Sequence, residues 1–363
     1  MSKIYIDHQV SDAPEVISIL SRLNLPAEIV RKSDEVFGLI SASADPVQEG
    51  KTVLYLTRNK GPFIRKCPGT RHYRCCDYKI LHVGTFCSMD CAYCILQTYF
   101  HPPVLQYFVN KKDLQNEINV LFSENKIQRI GTGEFTDSLI WEKLIDLSGF
   151  LVPAFAGQDT AVLELKTKTT HIDGLEKLVH NRKTIIAWSL NTPEIIATEE
   201  RGTTSLAERL QAAAKCASWG YPLAFHFDPL ILYDGCENEY RQVVEQLFTQ
   251  VSGDQIAWIS LGTFRFIPGL KPIVQRRFPK SKIVYGEFVT GLDNKMRYFK
   301  PLRIRLYQMM ASWIKAFAPD VLIYFCMEDD EVWERALGFV PKAKGGLPRM
   351  LDESAARHCD LKT

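Results

Sequence analysis

The run Cys87-Ser-Met-Asp-Cys91-Ala-Tyr-Cys94 spaces three cysteines as C-x3-C-x2-C. It follows Lys79-Ile-Leu-His-Val-Gly84, an apolar stretch that reads as a β-strand, so the cysteines open the loop at that strand's C-terminal end. Three thiolates from one loop can hold three irons of a cubane cluster and leave the fourth iron without a protein ligand. Electron-carrying ferredoxins instead close the cluster with four cysteines. Zinc sites usually pair two cysteines or histidines at matching spacings, and no such second pair follows here. A zinc site and unligated core thiols are the competing readings of the run.

An iron with an open position suits chelation by the amino and carboxylate groups of S-adenosylmethionine (SAM). The run therefore reads as a radical-SAM signature with a [4Fe-4S] cluster as cofactor. Tyr93, just before the last cysteine, is placed to pack near the adenine or to shield the cluster, and both can hold together.

The chain has 363 residues, 46% of them hydrophobic, enough for one large catalytic domain with small additions. A net charge of +2 gives no global basic signal for nucleic acid. Ten cysteines follow a start, Met1-Ser-Lys-Ile-Tyr-Ile-Asp-His8, that has neither a basic segment nor an apolar one. We expect a reducing, cytoplasmic setting in which thiols serve metal or redox chemistry. No apolar run approaches the roughly 20 residues of a membrane span, so no membrane partner is expected.

Downstream, short apolar runs alternate with helical patterns. Strands are expected at 129–133, 161–168, 184–190, 222–227 and 255–261, and helices near 112–124, 138–148, 172–181, 204–219 and 238–252. Strands buried on both faces and separated by helices make parallel α/β sheets. With the strand before the cysteines there are six βα units, a partial (β/α)6 barrel rather than the closed eight. The expected layout is an N-terminal α/β region at 1–78, the radical-SAM partial barrel at 79–281, a C-terminal α/β extension at 282–340 and a flexible tail at 341–363. Within the extension, strands are expected at 282–289 and 320–325 and helices at 302–317 and 329–337.

In such barrels chemistry gathers at the C-terminal ends of the strands. Gly131-Thr-Gly-Glu134 ends the second strand; its glycines permit close approach of a bound methionine, and Glu134 can accept from the ammonium. Lys166-Thr-Lys168 ends the third, where Lys168 can pair with the SAM carboxylate. Ser189-Leu-Asn191 ends the fourth and offers hydroxyl and amide groups to the ribose or carboxylate. His226-Phe-Asp228 ends the fifth, with His226 either a proton donor or a satisfied core residue. Taken singly, each of the others also has a bland alternative as a strand-end turn or a solvated charge.

Together these residues resemble the spore photoproduct lyase family of radical-SAM proteins. The likeness is carried by Cys87-x3-Cys91-x2-Cys94 with Ile95-Leu-Gln97, then Glu134-Phe-Thr-Asp137, Thr167-Lys168, Ser189-Leu-Asn191 and Glu199-Glu-Arg-Gly-Thr203. Phe264-Arg-Phe266 and Arg276-Arg-Phe-Pro-Lys280 also fit, and the likeness spans most of the chain. The resemblance implies one [4Fe-4S] cluster on Cys87, Cys91 and Cys94, and SAM held by Tyr93, Glu134, Thr136, Asp137, Lys168, Ser189 and Asn191. It also implies an external electron donor of the flavodoxin or ferredoxin kind. In the lyase itself, a 5′-deoxyadenosyl radical abstracts hydrogen from a thymine dimer of spore DNA, and the bond between the bases then breaks.

The chain departs from that family pattern in two places. The lyase carries a cysteine just before a Thr-Ser-Asp run at the second strand's end, and that thiol returns a hydrogen atom to the product radical; Glu134 stands there in this chain. Ile95 stands where the lyase has a tyrosine after the last cluster cysteine. A carboxylic acid O–H is a poor hydrogen-atom donor, so clean repair of the spore dimer is not expected. Cys236, after the fifth strand, is the candidate catalytic thiol to replace the missing one, against a bystander role.

A second group, Cys67-Pro-Gly-Thr-Arg-His-Tyr-Arg-Cys75-Cys76, offers Cys67, Cys75 and Cys76 with His72 to a second metal. Adjacent cysteines in extended chain point to opposite faces, which favours a Pro-Gly turn packed under the cluster loop. Basic and aromatic residues interleave at 58–66, 265–266, 276–280 and 296–305, as phosphate and base contacts or as solvated faces.

An enzyme acting on a DNA or RNA base uses all of these features. A radical-SAM enzyme for a small molecule or peptide leaves the basic runs without a role. A non-catalytic iron–sulfur electron-transfer or sensing protein leaves the polar strand ends unexplained and calls for a fourth cluster thiolate. Replacing Cys87, Cys91 and Cys94 together by alanine should strip the reconstituted protein of iron and sulfide while the fold persists. Retention of about four irons per chain would move the cluster to the Cys67, Cys75 and Cys76 group.

Overall fold

The computed structural model describes residues 1–70, 72–124 and 126–362; Arg71 of the early cysteine run, Asn125 and Thr363 lie outside the described residues. The buried apolar runs form its main sheet. Strands Lys79–Leu81, Gln128–Gly131, Ala161–Thr167, Thr184–Ser189, Leu223–Leu230 and Ile256–Thr263 pair in parallel and in chain order. These are the six expected barrel strands, called first to sixth below. Ile185, Ile186, Ala187 and Trp188 are buried at successive positions of the fourth, as a sheet covered on both faces requires. A seventh parallel strand, Ile323–Phe325, adds beyond the sixth, so the C-terminal extension shares the same half-barrel sheet. At the other edge Ile64–Lys66 pairs antiparallel with the first strand.

Helices cover the outer face. Leu206–Ser218 starts at a capping box in which the Glu208 N–H donates to Ser205 Oγ at 3.3 Å and the Ser205 N–H donates back to Glu208 at 2.8 Å. Its Leu210, Ala213 and Cys216 are buried in the main core. The N-terminal region forms a second sheet in which Ala27–Val30, Lys3–Asp7, Val53–Thr57 and Gln106–Phe108 run parallel. Gly84–Thr85 closes it antiparallel. The last two strands flank the cysteine loop in sequence and pair with each other, which ties the loop's two ends to this sheet.

Several segments differ from the sequence reading. The helix expected at 138–148 begins only at Leu147; Asp146, in the left-handed region at φ 54°, accepts from the Gly149 N–H at 3.2 Å and caps it. Residues 172–181 make a single 3-10 turn, Asp173–Leu175, because Ile172 and Leu175 reach the core without a helix. In place of a strand at 282–289 there is a 3-10 turn, Ile283–Tyr285, and the short strand Phe288–Thr290. That strand pairs with Met296–Tyr298, which also pairs with Arg265–Phe266.

The stretch from Pro341, expected as a flexible tail, forms a 3-10 turn and the helix Leu347–Cys359. Leu347, Leu351, Ala355 and Cys359 recur at helical spacing and are buried in the main core. Ser354 Oγ donates to the Ala257 carbonyl at 2.5 Å, and Asp352 pairs with Arg129 at 2.7 Å. Gly345 and Gly346 use φ of 83° and 100° to turn the chain into this helix. Among the described residues no helix is long and apolar enough to cross a membrane. Leu351→Ala should lower unfolding free energy by about 2–5 kcal/mol in urea titration, the range for truncating a buried leucine. An unchanged midpoint would show that the helix is undocked in solution.

Candidate active site

The C-terminal ends of the barrel strands surround one cavity of about 290 Å³. Cys87, Cys91, Cys94 and Tyr93 line it together with Glu134, Thr136, Asp137, Lys168 and Ser189. Residues separated by a hundred positions in sequence thus meet at the mouth of the barrel.

Side chains from elsewhere occupy the carbonyls of the cysteine loop. Buried Lys51 donates to the Cys87 carbonyl at 3.0 Å and to that of Met89. Gln97 Nε2 donates to the carbonyls of Cys91 and Ala92 at 3.1 Å and of Cys94 at 3.3 Å. Gln97 Oε1 accepts from Arg277 at 2.5 Å, and the same guanidinium pairs with Asp90 and Asp45 at 2.9 Å each. With its carbonyls satisfied, the loop is fixed while its thiols face the cavity.

Burial pushes the Cys87 thiol up to about 12 and the Cys91 thiol well above its ordinary range. Neutral thiols in such a place become thiolates when a cation binds them. Among the described residues no three His, Cys, Asp or Glu gather closely enough to hold one metal ion. A cubane spreads its ligands over separate corners, and three soft donors lining one cavity fit it.

A buried ion pair joins this loop to the fourth strand. Glu200 and Arg201 pair with Cys91 and Asp90 in a short antiparallel ladder. Arg209 donates to Glu200 at 2.5 Å, with side chains 0% and 1% exposed. Arg209 also donates to the carbonyls of Ser189 at 2.9 Å and Thr204 at 3.0 Å. The other Glu200 oxygen accepts from the Tyr93 hydroxyl. Tyr93 is thus held with Lys168 Nζ 5.8 Å from its ring centroid. This explains the Glu199-Glu-Arg-Gly-Thr203 run.

Asp137 staples the second strand end to the third. Its carboxylate accepts from the Leu139 N–H at 3.0 Å, the Thr167 hydroxyl at 2.8 Å and the Lys168 N–H at 2.9 Å. Burial still holds its carboxyl above the ordinary range. A Cβ on Gly131 would lie 1.8 Å from the Tyr78 hydroxyl, so this glycine makes room for the barrel interior. Gly133 lies against the Lys166 stem, with 3.0 Å from an added Cβ to Lys166 Cβ.

Three residues singled out in the sequence do not line the cavity. Asn191 donates to the Pro229 carbonyl at 2.9 Å and accepts from the Tyr240 hydroxyl at 2.8 Å, so its amide is spent on the fold. His226 pairs with Glu164 at 2.8 Å inside the barrel, and Trp258 donates to the same oxygen at 3.3 Å. Burial alone would raise the Glu164 carboxyl, but His226 holds it down to about 2. Cys236 is buried at the start of the helix Cys236–Gln250. Cys67, Cys75 and Cys76 also lie off the cavity wall.

The cavity is also lined by Lys166, Asp228, Phe264, Lys295 and Met327, to which the sequence reading gave no role, and by Arg265, read there as a phosphate or base contact or a solvated face. Arg265 forks onto Asp228 at 3.2 and 3.1 Å and, against the effect of burial, keeps its carboxyl below the ordinary range. Glu134, Glu164 and Asp228 hold the Lys166 ammonium above its usual range although burial opposes them. The Phe264-Arg-Phe266 run was the available signal, but its pairing with Asp228 depends on how the fifth and sixth strands lie side by side.

The partial barrel with a three-cysteine loop at its mouth defines the class, a radical-SAM enzyme. A family model described as spore photoproduct lyase matches residues 72–306, and the chain belongs to that family of radical-SAM lyases. The spore photoproduct lyase of Bacillus subtilis (strain 168) is 28% identical over 256 residues, covering 67% of this chain and 74% of that protein. The one from Geobacillus sp. (strain Y412MC61) is 28% identical over 255 residues, with 67% and 74% covered. A solved spore photoproduct lyase complexed with dinucleoside spore photoproduct shares the fold at a TM-score of 0.79 and 21% identity, over 89% of this chain and 98% of that one. A mutant with bound AdoMet and the same dinucleoside gives 0.79 at 22% identity over the same shares.

Arg209→Ala would strand the Glu200 carboxylate in the core. It should cost about 3–5 kcal/mol of stability by denaturant unfolding. A loss below about 1 kcal/mol, typical of exposed pairs, would mean that water reaches Glu200.

Proposed function

We propose that this chain is a DNA-acting radical-SAM lyase that opens a bond within a base lesion held in the cavity that the cysteines line. The observation that carries this reading is one cavity lined both by three thiols with SAM-binding chemistry and by a further set of charged and apolar groups. Family membership supports it, as do relatives solved with AdoMet and dinucleoside spore photoproduct bound. When bound, a [4Fe-4S] cluster and SAM supply a 5′-deoxyadenosyl radical, after reduction by an external carrier of the flavodoxin or ferredoxin kind.

The chain's own residues do the rest. Cys87, Cys91 and Cys94 would hold three irons, and Lys51, Gln97 and Arg277 keep their loop in place. We assign Lys168 to the SAM carboxylate, Glu134 to its ammonium, Ser189 to the ribose or carboxylate, and Tyr93 to the adenine side, with Thr136 lining the same cavity. Asp137 is a positioning residue, because its carboxylate anchors the Lys168 backbone. Asn191 positions the turn at Pro229. In the same cavity Arg265, Lys166 and Lys295 can donate to base carbonyls, and Phe264 and Met327 offer apolar contact.

Glu134 and Ile95, at the places of the lyase's hydrogen-return groups, both line the cavity. A carboxylate that holds the SAM ammonium cannot also return a hydrogen atom. The chemistry after bond scission therefore differs from that of the lyase.

The reconstituted, oxygen-free enzyme should release 5′-deoxyadenosine faster with lesion-bearing than with undamaged DNA, and its DNA binding should weaken with salt. Lys168→Ala should weaken SAM binding by about 1.5–3 kcal/mol, the range for a hydrogen bond to a charged group, with cluster absorbance unchanged. SAM cleavage indifferent to every DNA but stimulated by a small molecule or peptide would replace the substrate class.

A further inference from the structure

Between Ile267 and Gly286 the chain has five basic residues and no acidic one. The helix Leu270–Arg277 and the turn Ile283–Tyr285 lie in this stretch. Its Leu270, Val274, Phe278 and Ile283 are buried in one apolar cluster with Ala92 of the cysteine loop. Arg277 spends its guanidinium on Asp90, Gln97 and Asp45. Arg201, laddered to Asp90, holds its guanidinium 4.3 Å from the centre of the Phe278 ring. The segment is thus a cap seated directly on the cysteine loop. None of its residues lines the cavity.

The solvent side of this cap is basic. Lys271, Arg276, Lys280 and Lys282 are exposed, and none of them forms an ion pair among the described residues. Tyr285 is 60% exposed, yet Gln275 donates to its hydroxyl at 3.0 Å and Lys271 Nζ lies 5.6 Å from its ring centre. By contrast, Arg297, Lys300, Arg303 and Arg305 of the basic run 296–305 are each spent on an acid. Four unpaired cations and a held, exposed tyrosine make a surface complementary to an acidic protein.

We infer that this cap is the docking surface for the external electron carrier, an acidic protein of the flavodoxin or ferredoxin kind. The inference rests on the radical-SAM function proposed above, which needs one electron from such a carrier. The reduced carrier loses one electron and the cluster, where bound, gains it; no bond is made and no proton moves. The cap meets the cysteine loop through Ala92, Asp90 and Gln97, so a carrier seated there reaches the loop without entering the cavity. A DNA strand followed from its lesion would instead run on from the cavity lining, to which the cap contributes nothing.

The test compares the full chain with a version carrying Lys271→Glu, Arg276→Glu, Lys280→Glu and Lys282→Glu, and with a second carrying Gln at the same four positions. A flavodoxin and a ferredoxin serve as probes in calorimetry. At least one should bind the unaltered protein at low salt and bind less well as salt rises. The Glu version, with unchanged circular dichroism, should bind that carrier roughly tenfold more weakly or worse, because like charges then face each other, and the Gln version should fall between. In reconstituted protein the reduced carrier should bleach the cluster absorbance more slowly in the Glu version, while dithionite bleaches both alike. Binding of neither probe, equal binding by the Glu version, or loss of DNA binding with carrier binding intact overturns the assignment. If the unaltered, reconstituted protein releases no 5′-deoxyadenosine even with dithionite, the proposed function fails, and calorimetry alone then decides whether the docking surface exists.

Discussion

A guanidinium with no exposure to water sets the register of the site. Arg209 reaches from the helix Leu206–Ser218 to Glu200, to the Thr203 hydroxyl at 2.8 Å, and to the carbonyls of Thr204 and Ser189. Taking such a pair out of water costs several kcal/mol per ion, and it persists only when the remaining hydrogen-bonding groups are filled. Here they are filled by the parts that must stay together. Glu200 holds Tyr93 of the cysteine loop, and Ser189 ends the fourth strand. Neither part can shift without exposing a buried charge.

The cysteine loop draws on much of the chain for its support. Lys51 comes from the N-terminal region, Gln97 from the turn just after the cysteines, and Arg277 from the helix Leu270–Arg277. A loop exposed on all sides would change shape when a cluster binds. This one has its carbonyls held from three directions and its backbone laddered to Glu200 and Arg201. The long-range arrangement keeps three thiols on the lining of one cavity.

What could be read in the sequence follows the range of the interaction. The barrel strands announce themselves by apolar runs buried on both faces, and Cys87, Cys91 and Cys94 by their spacing. Ser205 and Glu208 mark a helix start because a capping box is local. The docked helix Leu347–Cys359 was missed because two glycines before it resemble a linker, and only the tertiary contact with Ala257 and Arg129 shows otherwise. Asn191 sits where a SAM ligand is expected, yet Pro229 and Tyr240 claim its amide. Gly131 owes its identity to Tyr78, a residue from another strand's approach. In each case the deciding partner is remote in sequence.

Glu134 lines the cavity at the place where the family resemblance calls for a thiol. A side chain at the second strand's end cannot both bind an ammonium and give up a hydrogen atom, since the first task needs an ionised oxygen and the second a weak S–H bond.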